Sequence, residues 1–171
     1  MRAWKKAVLM ILPLCACVGC DQATKTIAQA HLASSQPVYL MGDVFRFQYI
    51  ENTGAFMGLG AALPDSVRFW SLIVLVGIVL IVMLGFFWTW REMNPLSIVG
   101  GSLFIGGGFS NLLDRLFHAG AVVDFMNFGI GNLRTGIFNF ADVMIMVGAG
   151  MLLASNLFSR GTDVKASAGQ S

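Results

Sequence analysis

The chain alternates long apolar stretches with shorter polar ones, and the apolar stretches approach the length of membrane spans. Positions 7–20, 67–88, 96–113 and 138–158 are almost free of charge. A helix needs about twenty such residues to cross a bilayer. The first run is short of that, so its span is drawn as 5–26, with Pro13 expected to kink it in a way membrane helices tolerate. The second, 67–89, is bracketed by Trp70 and Trp88, aromatic residues suited to the membrane–water boundary. The third, 96–113, contains "GGSLFIGGG", where glycine lets helix backbones approach closely. The fourth, 138–158, is apolar except for Asn139 and Asp142 at its start. This pattern predicts a membrane α-helical protein of four transmembrane helices in one domain, 1–158. The tail, 159–171, is expected to be disordered.

Two longer segments between the spans alternate with the period of a strand. "PVYLMGDVFRFQYIENTG" predicts strands around a turn at "MGD", and "AVVDFMNFGIGNLRTGIFNFAD" predicts a hairpin turning at Gly129, Gly131 and Asn132. An isolated hairpin is marginal in water, so these segments are expected to pair with each other or to lie against the membrane.

Composition strengthens the membrane reading. The chain of 171 residues is 56% hydrophobic and only 12% charged, with a mean hydropathy of +0.73; soluble proteins carry about a quarter charged residues. A net charge of +2 gives no basis for nucleic-acid binding. Arg2, Lys5, Lys6, Arg91, Arg160 and Lys165 fall on one side of the four-span plan. Lys25, Arg46, Arg68, Arg115 and Arg134 fall on the other. The three charges before the first span dominate, placing both termini in the cytoplasm and the two longer segments outside.

Cys15, Cys17 and Cys20 all lie in the first apolar run and are read as packing residues rather than a disulfide set or a zinc site. The stretch "LCACVGCDQATK" at 14–25 follows a basic start, an order that also suits a lipoprotein export signal cut before Cys20. A bulky aliphatic residue is usual where Cys17 stands, and cutting there would leave three spans. Cys20 is therefore expected to remain inside the first helix.

Polar residues are expensive within a membrane, and here they gather at one depth. Asp21 and Lys25 end the first span; Asn52 and Gly54 lie in the first outer segment; Asn111, Asp114 and Arg115 end the third span; Asp124 interrupts "AVVDFMNF"; Asn139 and Asp142 open the fourth. The two histidines, His31 and His118, have no serine and acid in a triad arrangement and are read as exposed. What remains is acid–base chemistry by two carboxylates. Two close aspartates do not both ionise cheaply, so one keeps a proton while the other acts as base toward water. Asp142, in the first turn of an apolar helix, and Asp124, among Val122, Val123 and Phe125, are the residues read as that pair. Asp114 has Arg115 beside it, and Asp21 has Lys25 at i+4, so local ion pairs satisfy them. Plainer roles stand beside these: Asn139 and Asp142 as a helix cap, Asn52 as a turn residue, and the glycine runs as packing.

The motifs "DQATK" at 21–25, "NTGA" at 52–55, "NLLDR" at 111–115, "VVDF" at 122–125 and "FNFAD" at 138–142, in that order, resemble those of the lipoprotein signal peptidases (signal peptidase II). The likeness runs from about residue 5 to 158. It implies an aspartyl endopeptidase of the bacterial inner membrane, with a small extracytoplasmic β-cradle and a loop or helix over a site near the periplasmic face. Such enzymes remove the signal peptide from diacylglyceryl-modified prolipoproteins, cutting before the lipidated cysteine. Carried over motif by motif, the catalytic pair falls on Asp124 and Asp142. Asn52, Gly54, Asn111, Asp114, Arg115 and Asn139 shape the site and hold substrate, and Asp21 and Lys25 support it. The resemblance implies no metal or organic cofactor, a monomer in contact with membrane lipid, and inhibition by cyclic peptide antibiotics that mimic the tetrahedral intermediate. Two departures, Phe56 with Met57 in "NTGAFMG" and Ser110 where glycine is usual, are placed beside the expected substrate groove and bear on substrate preference. The alternatives are a catalytically degenerate paralogue that binds lipidated peptides, or a small proton-coupled membrane carrier.

Overall fold

The computed structural model describes residues 2–55, 58–90 and 92–168. Phe56, Met57 and Arg91, on which parts of the sequence reading rest, lie outside the described residues. Among the described residues, four helices are long and apolar enough to cross a membrane. The first is α1 (Ala3–Leu32). The second is built from α2 (Asp65–Arg68), a π-helical stretch (Phe69–Leu75) and α3 (Val76–Thr89). The third is α4 (Pro95–Phe117), and the fourth opens α5 (Phe140–Ala168). The interfacial tryptophans Trp70 and Trp88 are exposed, as their position at the ends of the second span requires.

Helix boundaries follow local chemistry. α4 starts where Asn94 accepts a hydrogen bond from the Ser97 backbone N–H at 2.8 Å, with Pro95 in the first turn where no N–H is needed. α1 runs past the expected end of its span because 26–32 hold no glycine or proline, and it stops before "SSQP". α5 likewise continues as helix to Ala168, through positions expected to be unstructured; that stretch holds one glycine and no proline. At the opposite end of the bundle from the sheet, the Lys6 ammonium donates to the carbonyls of Trp88 at 2.9 Å and Trp90 at 2.5 Å, closing the exposed C-terminus of α3.

α4 is the central helix, packed against α1, α3 and α5. Its glycines make this possible. A side-chain carbon on Gly148 of α5 would sit 2.5 Å from the Gly100 carbonyl oxygen, and one on Gly107 would sit 2.5 Å from the Ala141 carbonyl oxygen. Backbone lies against backbone at both points. Met10, Leu80, Phe87, Ile98, Ile105 and Leu112 form the apolar core around these contacts.

The two outer segments pair with each other, one of the two arrangements expected, into one antiparallel sheet of order β1–β2–β3–β4: Val38–Leu40, Phe45–Asn52, Val122–Ile130 and Leu133–Arg134. Register shifts within the β2–β3 pair. Phe47 faces Met126, but Ile50 faces Asp124, so β2 carries one extra residue. This bulge reverses which face the end of β2 presents. Asn52 thereby comes opposite Val122 and onto the same face as Asp124.

A valine at Gly148 is expected to lower the thermal midpoint in detergent, at a cost of about 1–3 kcal/mol from overpacking. A valine at Gly150, which has open space around it, is expected to leave the midpoint unchanged. Differential scanning fluorimetry of the two variants checks the contrast.

Candidate active site

Asn139 precedes α5 and Asp142 lies in its first turn. Asn139 Oδ1 accepts from the Asp142 N–H at 2.9 Å, while Asp142 Oδ2 accepts from the Asn139 N–H at 3.2 Å. This is a reciprocal helix cap, with an aspartate in the role more often taken by Glu or Gln. Asn139 does more than cap. Its side-chain amide donates to Asp124 Oδ1 at 2.7 Å and to Asn111 Oδ1 at 3.0 Å. One fully buried side chain thus joins the start of α5 to the strand that carries Asp124. The bridge between β3 and Phe138, whose N–H donates to the Met126 carbonyl at 2.8 Å, delivers Asn139 to that point.

Each of the two aspartates accepts two hydrogen bonds from neutral donors. Asp124 takes the Asn139 amide and the Asn52 amide, the latter at 2.9 Å. Asp142 takes the Asn139 backbone N–H and the Asn111 amide, the latter at 3.0 Å. Neither makes an ion pair among the described residues. Asp124 is only 2% exposed. Burial pushes its carboxyl up to about 6, and the nearby charge of Asp142 adds to that, against the hydrogen bonds from Asn52 and Asn139. Beside it lies a cleft of about 250 Å³, lined by Ile50, Asn52, Thr53, Gly58, Asp124 and Ile137, among others.

The loop after β2 is fixed by the same residues. Asn52 Oδ1 accepts from the Gly54 N–H at 2.9 Å, making a local turn, and its amide also reaches the Ala55 carbonyl at 3.1 Å. A side chain at Gly54 would come within 2.7 Å of the Gly58 and Leu59 backbone, so glycine is required there. The Gly54 carbonyl accepts from Arg115 Nη2 at 2.7 Å, and the Asn111 carbonyl accepts from Arg115 Nη1 at 3.3 Å.

Behind the pair lies a second layer, where the structure keeps one of the two expected local ion pairs and corrects the other. Asp114 is not paired with Arg115; successive residues on a helix point apart. Its partner is Lys25 of α1, at 2.8 Å. Lys25 also meets Asp21 at 2.7 Å, at the i+4 spacing the sequence suggests, but this pair is not at a helix end. Asp21 is 0% and Lys25 3% exposed, inside the bundle. Lys25 donates further to Asn111 Oδ1 at 2.9 Å.

Ser110 does not line a groove. It is fully buried where α1 meets α4, its hydroxyl donating to Asp21 Oδ2 at 2.7 Å and accepting from Gln22 Nε2 at 2.9 Å. Gln22 was not among the residues the sequence singled out. Its signals were a polar side chain inside an apolar helix and its place as the second residue of "DQATK". His31 is exposed on the last turn of α1, and His118 closes α4. Cys17 is buried, while Cys15 and Cys20 face outward. Among the described residues, no group of three or more His, Cys, Asp or Glu side chains is placed to hold a metal ion.

The raised Asp124 carboxyl has a consequence for stability. Folded Asp124 holds its proton more tightly than an unfolded chain does, so stability falls as pH rises from about 4 to about 6. Asp124→Asn removes that slope. The variant is expected to exceed the native protein in stability above about pH 6, by on the order of 1–3 kcal/mol, with the gap closing toward about pH 4. Thermal unfolding in detergent across that range measures it.

The chain is similar to known proteins over most of its length. Residues 14–158 match the family model described as signal peptidase (SPase) II. A lipoprotein signal peptidase of Treponema denticola is 34% identical over 149 residues, covering 85% of this chain and 86% of its own length. One from Pelodictyon phaeoclathratiforme is 32% identical over 162 residues, covering 90% and 89%. A solved structure described as a bacterial membrane enzyme superposes with a TM-score of 0.76 at 26% identity, covering 90% of each chain.

Proposed function

This chain belongs to the signal peptidase II family of aspartic-type peptidases, and from that premise we propose that it cuts diacylglyceryl-modified prolipoproteins immediately before the lipidated cysteine. The observation that carries the reading is the Asn139 side chain, which holds Asp124 and the turn bearing Asp142 together in a buried site beside a cleft. The four spans fit a bacterial inner-membrane protein. The distribution of Lys and Arg supports cytoplasmic termini, with the site at the periplasmic face.

In this reading Asp142 is the base and Asp124 the acid. Asp142 lies in the first turn of α5, where the helix dipole favours a carboxylate. Asp124, buried on a strand without that support, keeps its proton. Asp142 takes a proton from water as the water oxygen bonds to the scissile carbonyl carbon. The Asp124 proton passes to the carbonyl oxygen, giving a neutral tetrahedral diol. On collapse the carbon–nitrogen bond breaks. The Asp142 proton goes to the leaving nitrogen, and one hydroxyl proton returns to Asp124 as the carbonyl re-forms. Asn52 and Asn111 hold the two carboxylates in place through this exchange. Cyclic peptide antibiotics shaped like the diol are expected to occupy the same cleft.

Purified protein in detergent is expected to shorten a diacylglyceryl-modified prolipoprotein and to leave the unmodified precursor intact, as read by gel and by the mass of the released peptide. Asp124→Asn and Asp142→Asn, made separately, are each expected to lower the rate by about a thousandfold or more. Normal cutting by either variant would remove the pair assignment. Binding of the lipidated precursor without cutting by the native chain would favour the degenerate paralogue.

A further inference from the structure

The buried polar layer behind Asp124 and Asp142 repeats their arrangement. Asp21 Oδ1 accepts from the backbone N–H of Ala141 at 2.7 Å, the residue immediately before Asp142. Asp114 Oδ2 accepts from the backbone N–H of Val123 at 3.0 Å, the residue immediately before Asp124. Two inner aspartates thus each grip the backbone next to one outer aspartate. They are 0% and 1% exposed.

Two bridges join the inner aspartates. The charged one is Lys25, at 2.7 Å from Asp21 and 2.8 Å from Asp114. The neutral one runs from Asp21 Oδ2 to the Ser110 hydroxyl at 2.7 Å, then to Gln22 Nε2 at 2.9 Å, then to Asp114 Oδ1 at 2.8 Å. One ammonium faces two buried carboxylates, so Lys25 alone leaves this layer with excess negative charge. The Gln22 amide satisfies Asp114 Oδ1, which Lys25 does not reach, and the Ser110 hydroxyl gives Asp21 Oδ2 a second, neutral donor beside Lys25. Both lie in the contact between α1 and α4, away from the cleft, and neither touches Asp124 or Asp142.

We propose that Ser110 and Gln22 are positioning residues, a neutral strut that with Lys25 fixes the separation of Asp21 and Asp114 and, through the Ala141 and Val123 backbone, the separation of the catalytic pair. The proposal rests on the assignment of Asp124 and Asp142 above. Carboxylates at a fixed short distance titrate as one coupled unit with two well-separated steps; loosening the strut brings the steps together. The charged groups facing the pair are Asp21 and Lys25 from α1 and Asp114 and Arg115 from α4, and all are left in place by substitutions at 22 and 110.

The test uses the full chain in detergent with Ser110→Ala, Gln22→Met and the double variant, each compared with the native protein. Ser110→Ala and Gln22→Met are each expected to lower kcat about ten- to a hundredfold with KM within about twofold, as a small misplacement of reacting groups does. The double variant is expected to lose no more than the worse single one, because both substitutions open the same strut. In parallel, infrared titration of the carboxyl stretch, taken as the difference from Asp124→Asn, is expected to show the two steps of the pair closer together in both single variants. Gln22 is partly exposed, so its variant remains informative should Ser110→Ala fold poorly. Unchanged kcat and unchanged step separation in folded Gln22→Met would overturn the proposal, as would additive losses in the double variant. A native chain that does not cut the lipidated precursor would instead sink the functional reading, and the infrared titration still reports whether the strut sets the coupling.

Discussion

One ammonium group, Lys25 Nζ, is shared between Asp21 and Asp114 in the interior of the helix bundle, and the rest of the site is arranged around it. Removing one partner from a buried ion pair costs about 3–5 kcal/mol, because the remaining charge has no water to turn to. Here the partners lie on different elements. Lys25 and Asp21 belong to α1, Asp114 to α4, and the backbone groups they hold belong to α5 and β3. Helix association in a membrane lacks the hydrophobic drive it has in water and relies on packing and polar contacts. A shared buried charge therefore fixes the register of four elements at once, where apolar packing alone would tolerate sliding.

The glycine-lined contact between α4 and α5 is the complement of that constraint. With the Gly148 and Gly107 positions in backbone contact, Asn111 of α4 reaches both Asp142 and Asn139 near the start of α5. Close approach and polar bonding thus support each other. The outer pair then receives only neutral donors, all of them asparagine groups, while the compensating charge stays one layer behind. That separation suits acid–base work. A cation bonded directly to either carboxylate would hold it ionised and prevent the exchange of one proton between them.

The asparagines also explain why simple assignments of role are incomplete. Asn139 is a helix cap by every local criterion and, with the same side chain, a bridge to Asp124. Asn52 closes a turn through its oxygen and holds Asp124 through its nitrogen. An amide offers a donor and an acceptor at once, so a cap or turn and a hold on Asp124 are compatible in one side chain.

The four spans, the two alternating outer segments and the clustering of polar residues at one depth were all legible in the sequence. They follow from local rules: span length from apolar runs, strands from period-two alternation, and depth from position relative to the spans. The family motifs added the order in which the polar residues recur. What the sequence did not decide was which polar group meets which. The extra residue in β2 turns Asn52 to the face of Asp124, and no alternation pattern reveals a bulge one residue long. Asp114 found Lys25, 89 positions away along the chain, rather than its neighbour Arg115. Ser110 read as a departure beside a groove, and Gln22 drew no reading of its own, until α1 and α4 were set side by side. Local propensity and periodicity depend on neighbours within a few residues, and they specified the elements. Buried charge and amide partners depend on three-dimensional proximity, and only the packing of α1, α4, α5 and β3 supplied it.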